Sequence, residues 1–366
     1  MKFSCDRSTL NDAVATVQKA VSTRSNVPVL EGILLDAAGG ILHLSGNDLD
    51  LAIESEISAV VEEPGSVVIN ARFFGDIIRK MADETLYLQA DEECNIQIRC
   101  GNAEFTLTGI PAHEFPEIAA VNQTRQFTIS DEVLKNMIKQ TLFAVGTDEN
   151  KVILTGSLFE IQNGVLSVVS VDGFRLALRR EAVEGEDMSF VVPAKALNEV
   201  LKIVKEDEAQ TTIGIAENKV QFDIGSFRVI SRLLEGEFLD YQQILPRQSK
   251  LNVMAETRPL AETIERAALM IENESTKYPV KLTIKTDLVN VSCVSKMGKM
   301  FDSVPVVTEG DDLEIGFNYR YLLDALKGCD CEKVKMELNT PLSPCIIRPE
   351  TGDSFLYLVL PVRMKS

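Results

Sequence analysis

A motif that recurs at a fixed interval constrains the fold of this 366-residue sequence more than any other feature. Three segments each combine a short apolar strand, a brief turn, and a helix with apolar residues at i, i+3, i+4 and i+7 spacing. They are residues 67–81, 190–204 and 313–327. The first residue after the turn is Arg72, Lys195 or Asn318, and both intervals (195 − 72 and 318 − 195) are 123 residues. A period this long predicts three whole domains of one fold, because solenoid repeats are much shorter.

A second set of segments follows the same repeat. Each pairs a strand with a capped amphipathic helix, and the three are residues 3–21, 127–145 and 251–271. Ser8, Ser130 and Thr257 are the predicted N-caps, because a side-chain oxygen can accept a hydrogen bond from an amide of the first helical turn. Short runs between the helices alternate apolar and polar residues, which is typical of half-buried antiparallel strands.

These patterns predict an α+β fold of three repeated domains, each with two helices packed on an antiparallel sheet. We place the domains at residues 1–120, 125–247 and 250–366. The boundaries fall in two polar stretches, residues 119–125 and 246–250. Neither stretch is long enough for a free tether, so we expect rigid domains arranged end to end.

Composition limits the class of protein. No apolar run approaches the roughly 18 residues of a membrane span, and the N-terminus has no apolar signal core, so we expect a cytoplasmic protein that does not bind membranes. The seven cysteines are typical of buried thiols in a reducing cytosol. Cys329 and Cys331 form the one close pair, but a zinc site needs four suitably spaced ligands, so we expect no metal and no other cofactor.

The residues offer little for catalysis. Only two histidines occur, His43 and His113, and neither a Walker phosphate loop nor a dinucleotide glycine fingerprint is present. Asp48 and Asp50 could in principle bind a metal, but their alternation suits the polar face of a strand equally well. The sequence therefore predicts a protein without catalytic activity, with a hydrolase or nuclease built on these two aspartates as a distant alternative.

The net charge of −18 is unevenly distributed. Six predicted helices with their entry residues carry 15 Lys and Arg against 8 Asp and Glu, a net +7 that leaves −25 on the rest of the chain. These helices are residues 7–24, 72–81, 131–140, 194–205, 258–270 and 318–327. If all six helices face one way, they form one basic surface. Physiological salt screens exposed charges beyond roughly 8 Å, so the acidic remainder of the chain would not cancel that surface. Such a surface would hold a phosphate backbone without reading its sequence.

The candidate DNA-binding residues are the basic side chains on equivalent elements of the repeat. They are Arg24, Arg72, Arg79, Lys80, Lys195 and Lys202, with Arg7, Lys19, Lys205, Arg320 and Lys327 as further members of the same lining. For any one of these side chains alone a solvated helix face is the preferred interpretation, and it is their recurrence on equivalent elements that favours a basic lining. Asn318 replaces the basic residue in the third copy of the motif, which assigns that position to another role.

Several segments spread over nearly the whole chain resemble one known family. They are residues 1–3, 24–30 (RSNVPVL), 47–51 (NDLDL), 171–177 (VDGFRLA), 236–241 (GEFLDY), 244–246, 315–318 (IGFN) and 360–363 (LPVR). The chain is similar here to the bacterial DNA sliding clamp family, the beta subunit of DNA polymerase III. The resemblance implies a head-to-tail homodimer that closes a six-domain ring around duplex DNA, with helices inside and sheets outside. Each chain would form half of that ring.

The resemblance also implies the contacts that close the ring. Phe105 on one edge and Leu269 with Met270 on the other would be the apolar residues of the dimer junction, where edge strands of two chains could pair. The alternative that all three residues belong to the core of a single chain stays open at this point.

A groove for partner peptides is the third implication. It would bind short motifs of the DNA polymerase III catalytic subunit, the clamp loader, other polymerases and repair proteins, with Arg175 helping to orient the peptide. Its residues would be Leu154, Gly173, Arg175, Leu176, Leu239, Ile244, Asn318, Tyr321, Leu342, Pro344, Leu358, Leu360, Pro361 and Val362. The terminal residues 364–366 could frame it.

This chain departs from the family pattern in and near the groove. Val152 and Ile153 stand where an aromatic pair is frequent, and Phe174 stands where a histidine is common. Leu239 and Gln243 replace a frequent proline and arginine. We therefore expect a more apolar groove with altered peptide preference. A three-domain scaffold that binds partners through the groove without encircling DNA remains the principal alternative function.

Overall fold

The computed structural model describes residues 1–82, 84–118, 125–207, 209–246, 248–271 and 279–364. The chain forms two compact units, one of residues 1–134 and 195–233 and the other of residues 135–194 and 234–366. The predicted domain boundary at residues 119–124 and residue 247 of the second boundary lie outside the described residues.

Six α-helices occur in the described part of the chain: α1 (Arg7–Val17), α2 (Ala71–Lys80), α3 (Asp131–Thr141), α4 (Ala194–Ile203), α5 (Thr257–Ala268) and α6 (Tyr319–Gly328). The strands are β1 (Lys2–Asp6), β2 (Gly32–Ala38), β3 (Ile41–Asn47), β4 (Leu51–Ser58), β5 (Val60–Glu63), β6 (Gly65–Asn70), β7 (Thr85–Ala90), β8 (Asn95–Cys100), β9 (Ala103–Thr108), β10 (Ile110–Pro111), β11 (Arg125–Ser130), β12 (Gly156–Gln162), β13 (Val165–Val171), β14 (Arg175–Ala182), β15 (Met188–Pro193), β16 (Gln210–Ala216), β17 (Lys219–Ile224), β18 (Phe227–Arg232), β19 (Leu251–Glu256), β20 (Val280–Lys285), β21 (Leu288–Val294), β22 (Lys299–Glu309), β23 (Leu313–Phe317), β24 (Lys333–Leu338), β25 (Cys345–Pro349) and β26 (Phe355–Val359).

The first unit contains two antiparallel sheets. One has the strand order β5-β1-β7-β8-β9, and the other has the order β10-β6-β2-β3-β4-β18-β17-β16-β11. In the second sheet β4 pairs with β18, with Ile53 opposite Val229, so strands of the first and second predicted domains form one continuous sheet. Helices α1 and α2 bury their apolar faces, including Leu10 on α1 and Phe74 on α2.

The second unit contains a twelve-stranded sheet with the order β15-β12-β13-β14-β26-β25-β24-β19-β22-β21-β20-β23. Here β14 pairs with β26, which joins strands from the second and third predicted domains. Helices α5 and α6 bury Leu260 and Leu322, which belong to a core cluster that also contains Phe317 and Tyr357. Every strand pair in the described residues is antiparallel, so the predicted α+β class with antiparallel sheets is confirmed.

Helix capping differs from the prediction at two of three sites. Asp6 caps α1 and accepts hydrogen bonds at 2.7 Å from both the amide and the hydroxyl of Thr9, so the prediction of Ser8 is wrong. These bonds lower the pKa of the Asp6 carboxyl. Ser130 does precede α3 and accepts from the Val133 amide at 3.4 Å. The cap of α1 is thus an aspartate two residues before the predicted serine.

Thr257 is also not a cap. It is the first residue of α5, and Glu256 precedes it without a side-chain capping bond. The Thr257 hydroxyl instead donates to the carbonyl oxygen of Cys331 at 2.8 Å and anchors the start of α5 to the chain that follows α6.

The third copy of the repeated motif is displaced by two residues. Helices α2, α4 and α6 begin at Ala71, Ala194 and Tyr319, which are 123 and 125 residues apart. The second helical residue is therefore Arg72, Lys195 or Arg320, and the basic position persists in all three copies. The alignment of Asn318 with Arg72 is wrong. The third copy has two additional residues before its helix, so a constant interval of 123 residues points to a position two residues too early.

Asn318 has a structural role at this position. It is buried and its side-chain oxygen accepts a hydrogen bond from the Arg320 amide at 3.0 Å, which caps α6. The first helix is also shorter than predicted: α1 ends at Val17, a 3-10 turn follows at Gln18–Ala20, and Arg24 lies in a loop beyond both.

Candidate protein-binding and DNA-binding surfaces

The C-terminal segment is fixed between two strands of the second unit. Leu358 of β26 lies opposite Leu176 of β14. Beyond β26, the Leu360 amide donates to the Phe174 carbonyl oxygen at 2.9 Å, and the Val362 amide donates to the Gly316 carbonyl oxygen at 2.8 Å. The predicted groove residues on β14 and at the end of the chain are therefore neighbours in space.

An apolar cluster lies beneath this segment. Its buried members include Leu176, Leu358 and Tyr241, and Leu154 packs against them while partly buried. Burial raises the pKa of Tyr241, whose hydroxyl donates to Glu160 at 3.0 Å. The exposed large apolar residues of the predicted set are Leu239, Ile244, Leu342 and Leu360. Apolar side chains of a bound peptide could pack against these four residues and cover them, next to the apolar cluster described above.

Arg175 is held in place by its own unit. Its Nε donates to Asp172 at 2.9 Å and its Nη1 donates to Asp324 at 2.5 Å. The guanidinium also lies 4.6 Å from the ring centre of Tyr321 and 5.4 Å from that of Phe143. The Arg175 side chain is only 12% exposed. In the structure Arg175 therefore ties β14 and the turn before it to α6.

A tight turn presents the neighbouring aromatic ring. Asp172 Oδ1 accepts hydrogen bonds from the amides of Phe174 and Arg175 at 2.9 and 3.0 Å, and Gly173 between them has a φ of +91°, which favours glycine. The exposed Phe174 ring stacks on Tyr321 with 6.0 Å between ring centres. Burial and the Asp172 carboxylate raise the pKa of Tyr321.

Sequence reasoning missed Asp172, Asp324 and Phe143 as partners of Arg175. The spacing of three residues between Asp172 and Arg175 within the VDGFRLA segment was a usable signal for one of them. Pro344, Pro361 and Val362 are half-buried, and Asn318 is buried as the cap of α6.

The predicted DNA-binding residues form two groups. Arg24, Arg72 and Lys80 in the first unit are exposed and have no ion pair with any described residue. Arg79 pairs with Asp76 at 2.5 Å on the same helix. The first three cations are therefore available to neutralise an external anion.

Lys195 and Lys202 have carboxylate partners. Lys202 contacts Glu199 at 2.8 Å, and Lys195 forms an ion pair with Asp48. Asp48 also accepts hydrogen bonds from the amides of Asp50 and Leu51, at 3.1 and 2.9 Å. This carboxylate is thus occupied by protein groups, and the described residues contain no cluster of three or more His, Cys, Asp and Glu suited to a metal ion.

Three helix cations of the second unit are also paired. Arg258 contacts Glu262 at 2.8 Å, Arg266 contacts Asp302 at 2.6 Å, and Lys327 contacts Glu265 at 2.7 Å. Similar charges on equivalent helices of the repeat therefore have different surroundings.

The residues predicted for the dimer junction lie at open edges. Phe105 is exposed on β9, which ends its sheet and pairs only with β8 among the described strands. Leu269, just after α5, is 72% exposed. Met270 is partly buried against the core cluster of the second unit. The alternative that all three are core residues of one chain is wrong for Phe105 and Leu269.

A second open edge occurs in β22. Val306 to Glu309 of this strand pairs with β19, whereas Lys299 to Pro305 pairs with β21 alone among the described strands. Phe301 within that half is exposed. Each unit thus presents one strand with a free edge and an exposed aromatic side chain.

None of the α-helices in the described ranges has the length and apolar character to cross a membrane.

Comparisons with known proteins agree over the whole chain. Family models of the DNA polymerase III beta subunit match in order: the N-terminal domain at residues 1–119, the central domain at 128–240 and the C-terminal domain at 242–363. The chain is 33% identical over 377 residues to the beta sliding clamp of Bacillus subtilis strain 168, covering 99% of this chain and 100% of the relative. It is 34% identical over 375 residues to the beta sliding clamp of Staphylococcus aureus strain Mu50, covering 99% of each.

Solved structures give the same result. The DNA polymerase sliding clamp from Bacillus subtilis superposes with a TM-score of 0.97 at 32% identity, and the sliding clamp from Pseudomonas aeruginosa bound to griselimycin does so with 0.94 at 28%. In both cases the match covers 100% of each chain. With three domain models matched in order and relatives above 30% identity over their full length, the chain belongs to the DNA polymerase III beta subunit family of sliding clamps.

Proposed function

We propose that two copies of this chain close head to tail into a ring around duplex DNA and tether the replicative polymerase as a cytoplasmic processivity factor without catalytic activity. The observation that carries the proposal is the pair of open apolar strand edges, one in each unit. An exposed strand edge with apolar side chains is a liability for a soluble chain unless another strand covers it.

Ring closure follows from pairing these two edges. The free side of β9 in one protomer would pair with Lys299 to Pro305 of β22 in its partner, which continues both sheets across the junction. Phe105 and Leu269 would be buried by the same contact. Because each chain carries both of these edges, two chains would cover all four of them.

Duplex DNA would be held by charge alone. Arg24, Arg72 and Lys80 have no carboxylate partner among the described residues and can replace counterions along the phosphate backbone. Each phosphate neutralised adds about 0.9 to the slope of log affinity against log salt. Contacts of this kind do not read base sequence, so the duplex can move through the ring.

The groove on the second unit would bind partners. Leu239, Ile244, Leu342 and Leu360 offer exposed apolar surface above the core cluster, and the Phe174 and Tyr321 rings border it. We propose short apolar peptide segments of the DNA polymerase III catalytic subunit, the clamp loader, other polymerases and repair proteins as its ligands. That a related clamp has been solved with griselimycin bound supports a ligand-binding surface in this family.

The test is retention on DNA of different topology. The protein is loaded on nicked circular DNA, free protein is removed, and the circle is then linearised. We expect stable retention on the circle and rapid loss after cutting. Equal retention on both forms would refute enclosure, and peptide binding without any retention would favour the scaffold alternative.

Matched charge variants test the DNA surface. Arg72→Glu should reduce retention on the circle and flatten its salt dependence, while the dimer stays intact. Lys327→Glu is the control, because this cation already has a carboxylate partner. An equal effect of the control variant would show that the free cations have no special role.

A further inference from the structure

A cleft of about 740 Å³ lies in the first unit between α1, the 3-10 turn that follows it, and the start of α2. The helices approach closely along its floor. A Cβ atom at Gly75 would lie 2.6 Å from Gln18 Oε1, so only glycine permits this contact without displacing the glutamine. We call this space the α1–α2 cleft.

One side chain in the α1–α2 cleft is unusual. Phe73 lines it and is 63% exposed, and it is the one large apolar side chain that is exposed on any α-helix in the described part of the chain. Its amide donates to the Asn70 side chain at 3.2 Å, which fixes the residue in the first turn of α2. The backbone of Phe73 is therefore held in the first turn of α2, and its ring is exposed to solvent.

Charge in the α1–α2 cleft favours an anionic ligand. Lys19 and Arg72 line it, are exposed, and have no ion pair with a described residue. The cleft's two carboxylates are engaged within the protein: Asp76 pairs with Arg79 at 2.5 Å, and Glu31 accepts a hydrogen bond from the Ser25 amide at 3.0 Å. The Ser25 amide does not neutralise Glu31, so the lining has three cations, Lys19, Arg72 and Arg79, against two carboxylates, a net charge of +1.

We propose that the α1–α2 cleft binds single-stranded DNA, with one base stacked on Phe73 and the adjoining phosphates beside Lys19 and Arg72. Aromatic rings among cations bind single strands because every base has a face that can stack. In duplex DNA both faces of a base are covered by its neighbours, so the ring has nothing to stack on. The cations without carboxylate partners favour this polyanion over an apolar peptide.

This site goes beyond the proposed function, which requires only sequence-independent contacts to a duplex. It does not require ring closure, since a short oligonucleotide can enter a cleft of one chain. The two proposals can therefore fail separately.

The chain contains no tryptophan, which permits a direct optical test. Phe73→Trp places a single indole in the α1–α2 cleft. We expect oligothymidylate to quench its fluorescence strongly, whereas an abasic strand of equal length and a blunt duplex quench it little. Tyr87→Trp is the matched control, because Tyr87 is similarly exposed on β7, is not among the residues that line the cleft, and should show no quenching.

Binding to the chain without an added tryptophan completes the test. Phe73→Ala and Phe73→Leu should each weaken oligothymidylate binding at least about fivefold, and both should leave retention on circular DNA unchanged. Phe73 is exposed, so neither variant removes core packing. Equal quenching by the abasic strand, equal quenching at position 87, or unchanged affinity in Phe73→Ala would each overturn the proposal.

Discussion

Replacement of Arg175 by alanine tests how the turn at residues 172–175, beside the proposed groove, is held. The guanidinium bridges two carboxylates and packs on two aromatic rings. Its removal leaves Asp172, which is 14% exposed, without a cationic partner. We expect local opening of the turn that presents Phe174, and weaker binding of partner peptides as a consequence.

The magnitude follows from exposure. A hydrogen bond to a charged, largely buried group contributes about 1.5 to 3 kcal/mol, which applies to Asp172. Asp324 is 41% exposed, so its ion pair contributes at most about 1 kcal/mol. The contacts with the aromatic rings contribute about 1 kcal/mol. Asp172 keeps its two amide donors, so the net loss is about 3 kcal/mol, or roughly a hundredfold in the local opening constant.

Native-state hydrogen exchange measures this opening directly at the Phe174 amide, which donates to Asp172. Arg180→Ala is the control on the same strand, because its partner Asp353 is 75% exposed and the pair should contribute less than about 1 kcal/mol. If the two variants accelerate exchange equally, the guanidinium contributes no more than an exposed ion pair and the reasoning is refuted.

Three further outcomes are expected. Leu269→Asp should weaken the dimer at least about tenfold in size-exclusion or native mass measurements, whereas Val60→Asp, on the opposite edge strand from β9, should not; equal effects would contradict the proposed junction. Lys195→Glu should speed hydrogen exchange at the Leu51 amide by placing a second carboxylate beside Asp48, and Lys202→Glu should leave that amide unchanged. Burial raises the pKa of Cys5 to about 12 from an ordinary value of 9.0, so iodoacetamide at pH 8 should label Cys5 only after unfolding, as peptide mass mapping would show. The protonated Cys5 thiol should contribute fully to the free energy of unfolding below pH 9. This contribution should decline as the pH rises towards 12, because the unfolded chain then loses the thiol proton more readily than the folded one.

Much of the fold could be predicted because local patterns determine it. Apolar periodicity identified the six helices and the alternating strands, and the repeat identified three copies of one domain. Element ends were less predictable. Asp6 could not be distinguished from Ser8 as a cap, since both residue types cap helices and the two positions are only two residues apart. The two-residue displacement of α6 could not be predicted either, because it leaves the apolar periodicity within each copy of the motif unchanged.

For the candidate surfaces, too, local patterns predicted some features and not others. A count of Lys and Arg identified basic helices, and the resemblance to known clamps supplied the groove residues. Neither indicated which cations are free. Arg72 and Lys195 occupy equivalent positions of the repeat, yet Arg72 has no ion pair in the described structure and Lys195 pairs with Asp48, 147 residues away.

The sequence by itself therefore determined the number of domains, their class and the sign of charge on the helices, because these follow from local residue patterns and from the recurrence of those patterns along the chain. Only the tertiary structure decided which charges are neutralised, which apolar residues remain exposed and which strand edges stay open. Arg175 and Asp324 are 149 residues apart in the chain and meet in a fold in which β14 pairs with β26. Such contacts depend on the packing of distant segments, and no local pattern encodes them.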